Sequence, residues 1–397
     1  VSEPTRLHFR SLDAIRTFAC FFPISTHLFW EVAQPGLSAM PALQGWPMDV
    51  LAFLFGNGIF GVRLFMAMSG FLITYLMLRE LESTGRFSLR NFYVRRILRI
   101  WPCYFLVLGY MFAIYPAVKL AMGIQSPLYE RLWPYLFFLP NFELLRLSST
   151  PGLYPNQQLS LLWSVGIEEQ FYLIWPLVLL FFGAAGLRWG GVLFWLVAWA
   201  SQFYFWNDVH VWSNHTVPCF LYISSGTLLG CAYYYRPEWF ERRLRALGYP
   251  VVLALTAFFF FVLYLVAVGS LTVKYWMPIY GPWTAFFCCW LMISQIVYQG
   301  HRFSSERLRP MVNFSKYTYG LYMYHRIVQW WLIRLFSLGL GFDFKEGRTV
   351  ALVNGLTLVF SCLAAYLSFH TVEGYFMKKK HLFSPFPKKA ALDAKEV

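Results

Sequence analysis

Charged residues are scarce in this 397-residue sequence: 13% of the chain, against 58% hydrophobic and 21% aromatic residues. A soluble domain carries about twice that share of charge, so a soluble fold is excluded, and a polytopic membrane protein fits the long blocks in which the apolar residues come. Acidic residues are the rarer sign, 19 against 33 basic ones, for a net charge of +14. The basic residues stand in short segments between apolar blocks rather than on one soluble domain, which is the pattern of membrane topology and argues against a nucleic-acid partner. The seven cysteines (Cys20, Cys103, Cys219, Cys231, Cys288, Cys289, Cys362) lie in or beside apolar segments with no spaced framework. They read as small core residues, not disulfides. Zinc-ligand spacing, a glycine-rich phosphate loop and a Gly-x-Ser-x-Gly elbow are all missing, so no metal is expected. There is no internal repeat.

What is present is a series of apolar blocks of about 17 to 26 residues, the length that crosses a bilayer. They run at roughly Leu12–Trp30, Val50–Leu78, Phe92–Val118, Leu159–Phe182, Gly191–Trp206, Val217–Tyr235, Pro250–Val268, Pro282–Tyr298, Tyr317–Leu338 and Val350–Tyr375. The expected fold is all-α, a transmembrane helical bundle of about ten spans over residues 1–376, with a basic cytoplasmic tail over 377–397. Leu132–Phe142 is too short to cross and contains Pro134 and Pro140, which makes it interfacial or re-entrant. The first block runs past signal-peptide length without a small-residue cleavage site and is expected to remain as a span. In this topology the inner segments hold 24 Lys and Arg residues and the outer segments six. Both termini are therefore expected in the cytoplasm, in a multi-pass protein of the cell (inner, cytoplasmic) membrane.

The block Leu159–Leu180 carries Glu168 and Glu169 side by side. A carboxylate at membrane depth costs several kcal/mol and persists only beside a wet cavity or a partner, so this pair predicts a site. The first span holds Arg16 and His27 eleven positions apart. That spacing returns to nearly the same helix face about 16 Å further along the axis. An imidazole is the side chain best suited to take a proton from a hydroxyl near neutral pH. Arg63 and Ser69 lie in the second span, where a buried cation needs an anionic or carbonyl partner and Ser69-Gly70 allows close approach of a neighbour. Arg95, Arg96 and Arg99 precede Trp101-Pro102-Cys103-Tyr104, and their guanidinium forks suit the phosphates of a cytoplasmic donor; Arg95 and Arg99, four apart, share a face. His325, next to Arg326, sits mid-way along the ninth span. Glu168, Glu169, Arg63 and Arg326 also suit a purely structural salt-bridge network.

In order and spacing, several of these segments resemble the acyltransferase 3 family of multi-span membrane acyltransferases. They are Ser11-Leu12-Asp13-Ala14-Ile15-Arg16 with His27, Met68-Ser69-Gly70-Phe71-Leu72-Ile73, Arg95 through Tyr104, Leu162 through Tyr172, and Tyr319 through His325. The resemblance covers nearly the whole chain. It implies about ten spans, an acyl-CoA donor (acetyl-CoA or another) on the cytoplasmic side, and an acceptor hydroxyl on a carbohydrate, glycolipid or small hydroxylated molecule. It also implies activity residues at the positions matched by Arg16 and His27, and donor contacts at the matched arginine cluster. Where the family has glycines around its first motif this sequence has Ala14 and Thr17, and Arg63 replaces its frequent aspartate. Many relatives carry an added hydrolase-like domain that a chain of this length is not expected to contain.

The expected activity is membrane O-acyl transfer, most simply O-acetyl transfer. His27 is the general base, Glu168 or Glu169 orients it, Arg16 guides the donor arm, and Arg95, Arg96, Arg99 and Ser69 hold the donor. His325, Arg63 and Tyr104 are possible additions to the site. A transporter or flippase for an anionic or glycolipid substrate is the alternative use of buried Glu, His and Arg, and the missing inverted repeat weakens it.

Overall fold

The computed structural model describes residues 8–29, 44–124, 127–267, 273–301, 304–342 and 347–385. Among the described residues every regular element is helical. The long helices are α1 (Arg10–Leu28), α2 (Gly58–Thr84), α3 (Leu89–Gly109), α4 (Leu162–Tyr204), α5 (Thr216–Tyr235), α6 (Tyr249–Ala267), α7 (Val273–Val297), α8 (Thr318–Arg334) and α9 (Gly347–Ser368). Six helical stretches are long and apolar enough to cross a membrane: Trp46–Thr84, Leu89–Ala121, Gln157–Tyr204, Thr216–Tyr235, Tyr249–Val266 and Gly347–Phe383. Of the other blocks, α1 is enriched in charge at its start by Arg10, Asp13 and Arg16, and α8 is only 17 residues long. The stretch expected to be interfacial or re-entrant folds as two short helices, Leu132–Leu136 and Pro140–Ser149.

Local signals set the ends of these elements. Ser88 caps α3 by accepting from the Asn91 N–H, and Gly85 ends α2 in the left-handed conformation, φ 71°, with its N–H returned to the Leu81 carbonyl. Residues 162–204 form one helical run interrupted at Gly183, whose φ of 63° and ψ of −166° suit only a residue without Cβ. The chain reverses there: Gly190 comes back against Val178 and Trp175, and the rings of Trp175 and Phe194 lie 5.8 Å apart. The hairpin accounts for two of the expected apolar blocks.

The centre of the bundle is the contact of α2 with α5. Their backbones touch at two glycines: a Cβ on Gly70 would lie 2.0 Å from the Ile223 carbonyl oxygen, and one on Gly226 would lie 1.9 Å from that of Ala67. Between apolar helices in lipid such close approach supplies the packing energy that water would otherwise drive. Phe60 of α2, Phe259 of α6 and Phe287 of α7 stack on its far side, with centroids 5.4 Å and 4.8 Å apart. Its other side, with α1, α3, α4 and α8, encloses the polar residues singled out above.

Candidate active site

Helices α1 to α4 and α8, joined by the chain beyond α9, surround a cavity of about 580 Å³. One end is cationic, with Arg16 from α1, Arg96 and Arg99 from α3, and Lys316 and Lys380 in its wall. Asp13, one turn before Arg16, accepts from the Arg16 Nη1–H at 2.9 Å and pairs with His8 at 2.7 Å, which fixes the guanidinium against its own helix.

Further along lies a belt of hydroxyls and carboxylates. The Ser69 hydroxyl donates to Glu168 Oε2 at 2.8 Å, and the Tyr172 hydroxyl lies 2.5 Å from the same oxygen and 2.9 Å from Ser69 Oγ. Glu168 and Tyr172 are four apart and therefore on one face of α4. Arg96 sits over the Tyr172 ring, 5.5 Å from its centroid. Glu169 Oε2 accepts from the Trp101 indole N–H at 3.0 Å, and its Oε1 is buried without a partner among the described residues. Both carboxylates face the cavity, as their cost at membrane depth requires.

The cavity wall includes Ser164 and Tyr322, whose hydroxyls are 2.9 Å apart; His27 and His325 are not in it. His325 lies one turn beyond Tyr322 on α8, fully buried, and its Nε2 is 2.7 Å from Nδ1 of the half-buried His27. The ring planes are within 8° of parallel with centroids 5.0 Å apart, which with facing nitrogens this close describes two rings joined edge to edge rather than stacked. The tautomers follow from the outer bonds. His325 Nδ1 faces the carbonyl oxygens of Tyr322 at 2.8 Å and Leu321 at 3.2 Å, so it carries the hydrogen. Its Nε2 must then accept from the Nδ1–H of His27. The lone pair of His27 Nε2 is left over, and no described residue bonds it. A neutral imidazole held this way presents one free lone pair in a fixed direction.

The structure thus divides the expected residues. Arg16, Ser69, Arg96, Arg99, Glu168 and Glu169 share one cavity, and His27 pairs outside its lining with His325, one helical turn from the lining residue Tyr322. The expected contact of Glu168 or Glu169 with His27 is not made; Glu168 Oε2 is bonded by Ser69 and Tyr172 and Glu169 Oε2 by Trp101. Arg95, expected to share an anion with Arg99, instead bonds Glu80 at 2.8 Å and the Phe383 carbonyl at 2.7 Å. Tyr104 is buried off the cavity and donates to the Tyr135 carbonyl at 2.8 Å, tying down the short helix Leu132–Leu136. Arg63 is caged by the rings of Trp212, Tyr222 and Tyr280, 4.6 Å, 4.9 Å and 5.5 Å from their centroids. Arg326 bonds Gln329 and the Gln157 carbonyl. No carboxylate network with Arg63 or Arg326 is found among the described residues.

Sequence reasoning passes over Tyr172, Tyr322, Glu373 and Lys380, which all face the cavity. For Glu373 the signal is the same as for Glu168, a carboxylate inside an apolar block. Lys380 carries no such mark, since a lysine after a last span is ordinary.

No solved structure matches the chain. It is 29% identical over 192 residues to the peptidoglycan O-acetyltransferase OatA of Listeria monocytogenes, covering 47% of this chain and 26% of that protein. It is 35% identical over 118 residues to an uncharacterized protein of Haemophilus influenzae, covering 30% of this chain and 47% of the relative. The chain thus spans less than half the length of each of these relatives. The profile described as an acyltransferase domain matches residues 9–370, so the chain belongs to the acyltransferase 3 family.

Proposed function

We propose that the protein is an integral membrane O-acyltransferase, most simply an O-acetyltransferase, that moves an acyl group from cytoplasmic acyl-CoA to a hydroxyl of a carbohydrate or glycolipid. About ten spans with both termini in the cytoplasm put the cationic end of the cavity at the inner face. The observation that carries the reading is this one cavity, cationic at the end near the chain termini and lined by Ser69, Glu168, Glu169 and Tyr172 beyond it, which leads toward a directed imidazole base.

The phosphates of the donor sit at Arg96 and Arg99, whose planar forks match phosphate oxygens. The thin pantetheine arm passes Arg16 and the Ser69–Glu168–Tyr172 belt, where the unpartnered Glu169 Oε1 is an acceptor for an amide N–H of the arm. The thioester arrives near Tyr322 and Ser164, one turn from the histidine pair. His27 Nε2 takes the proton of the acceptor hydroxyl as its oxygen attacks the thioester carbonyl, and His325 keeps the ring oriented. The C–S bond breaks, the CoA sulfur leaves as thiolate, and the imidazolium returns the proton to it. Arg63 and Tyr104 serve packing in this scheme.

The test is transfer by the purified protein in detergent with radiolabelled acetyl-CoA, alongside mass spectrometry of envelope glycans and lipids from cells with and without it. A His27→Ala variant that elutes as folded protein should lose transfer by a factor of about 10² or more. Full activity in that variant rejects the scheme.

A further inference from the structure

Beyond α9 the chain stays folded as far as Phe383. A π-helical turn at Phe369–Glu373 leads into the helix Gly374–Lys379 and a 3₁₀ turn, Lys380–Phe383. Two fixtures hold this stretch against the cavity. Ser368 donates to the buried Glu373 Oε1 at 2.8 Å, and its hydroxyl lies 2.8 Å from that of Tyr324 on α8. At the other end Arg95 of α3 binds the Phe383 carbonyl through Nη1 while its Nη2 binds Glu80, which is 3% exposed. Arg95 is therefore a clamp with both sides occupied, and the residues between the two fixtures are placed by it.

What the clamp places is Lys380. Its side chain enters the cavity wall that Arg16, Arg96 and Arg99 also form. The largest charges acting on it, those of Arg99, Arg96, Arg95 and Arg16, are all of its own sign; no hydrogen bond or ion pair joins it to a described residue, and the nearby carboxylates Asp13, Glu168 and Glu373 bond Arg16, Ser69, Tyr172 and Ser368 instead. Like charges gathered in a partly buried wall repel, and an anion with several charges relieves that repulsion. A fold that spends a buried Glu–Arg pair and a backbone carbonyl on holding a lysine against three arginines is built around such a ligand.

We propose that Lys380 is a further phosphate ligand of the donor, and that residues 374–383 complete the donor site so that it selects thioesters bearing a phosphorylated nucleotide over those bearing pantetheine alone. The proposal rests on the acyl-CoA reading given above. It differs from that reading in assigning selectivity to a segment outside the helices that carry the sequence motifs.

Three donors graded by phosphate test it: acetyl-CoA, 3′-dephospho-acetyl-CoA and acetyl-pantetheine, assayed with the full chain in detergent. For the wild-type protein kcat/KM should fall along that series. In Lys380→Gln the ratio of kcat/KM for acetyl-CoA to that for acetyl-pantetheine should drop about tenfold, through KM rather than kcat, as loss of one charge-assisted contact predicts. Lys380→Arg should keep the wild-type ratio. CoA titrated calorimetrically should bind the Gln variant more weakly by a similar factor. A wild-type ratio in Lys380→Gln, or equal losses for acetyl-CoA and acetyl-pantetheine, overturns the assignment of Lys380 while leaving the donor reading in place. Absence of both CoA binding and thioester turnover in the wild-type protein removes the donor reading, and the proposal with it.

Discussion

His27 and His325 stand 298 positions apart and share one hydrogen bond, so what either can do depends on the other. If His325 only fills space, a small apolar substitute should be tolerated; if it fixes the tautomer of His27, removing it frees the ring to turn and to present the wrong nitrogen. His325→Ala is expected to lower kcat by about 10² with little change in KM for acetyl-CoA, since His325 does not line the cavity proposed for the donor. A matching loss in KM would place His325 in donor binding instead. The individual residues were legible in the sequence, because a titratable group in an apolar block is rare and expensive. Their pairing was not, because helical periodicity fixes the face a side chain takes but not which helix lies opposite. That is why His27 finds an imidazole rather than a carboxylate, and why Arg95, equal to Arg96 and Arg99 in a motif, becomes a clamp. Outside the spans, Glu143 gives a residue-scale expectation for pH. Burial pushes its carboxyl up, but the two-pronged Arg146 contact at 2.7 Å and 2.8 Å and the Arg131 N–H outweigh burial and hold it below the ordinary carboxylate range. A carboxyl lowered by folding contributes stability that is complete above its unfolded value and lost as pH falls through its folded one. Burial raises neighbouring Glu130, whose contribution has the opposite sign and fades as pH rises through its higher folded value. Melting temperatures of wild type and Glu143→Gln between pH 3 and 7 check this: the acid-side slope should flatten in the variant, and an unchanged slope assigns it to other groups.

Among the helices, the α2–α5 contact carries the sharpest expectation. A methyl group at Gly226 meets a backbone carbonyl oxygen that cannot swing aside, so α5 would have to leave α2. Gly226→Ala should cost at least about 3 kcal/mol, seen as loss of the folded peak in fluorescence-detected size-exclusion chromatography. Gly109, at the end of α3 with nothing within 4 Å of an added Cβ, is the opposite case. Gly109→Ala should be neutral or stabilise by roughly 0.5 to 1 kcal/mol, because alanine loses less freedom on folding. Equal effects at the two positions would mean that backbone entropy, not contact, decides both. The sequence showed where α2 and α5 lie, since each is an apolar block of spanning length, but not that they meet at their glycines. Small residues in a span permit close approach without naming a partner. The reversal at Gly183 was legible as two apolar blocks with Arg188 between them, whereas the docking of residues 374–383 on α3 depends on a carbonyl–guanidinium contact that no periodicity records.

Across the whole molecule, charge and cavity make the same claim about direction. The inner segments of the proposed topology hold 24 Lys and Arg residues against six outside, which is the basis of the proposed orientation. The cationic cavity wall includes His8, Arg10, Lys316 and Lys380, all near helix ends on the side of the chain termini. The acyl-CoA donor proposed above is too highly charged to cross a bilayer, so on that reading it enters where the compensating charge is. Sealed membrane vesicles of defined sidedness decide this. In inside-out vesicles, acetyl-CoA added to the medium should support transfer at once; in right-side-out vesicles it should fail until the membrane is permeabilised. Raising the salt should weaken the inside-out reaction through KM, since the mouth is open to screening, while the buried His27–His325 pair is not. Equal rates in both sealed preparations would mean that the donor reaches the site from outside, and the orientation read from the charges would have to be reversed.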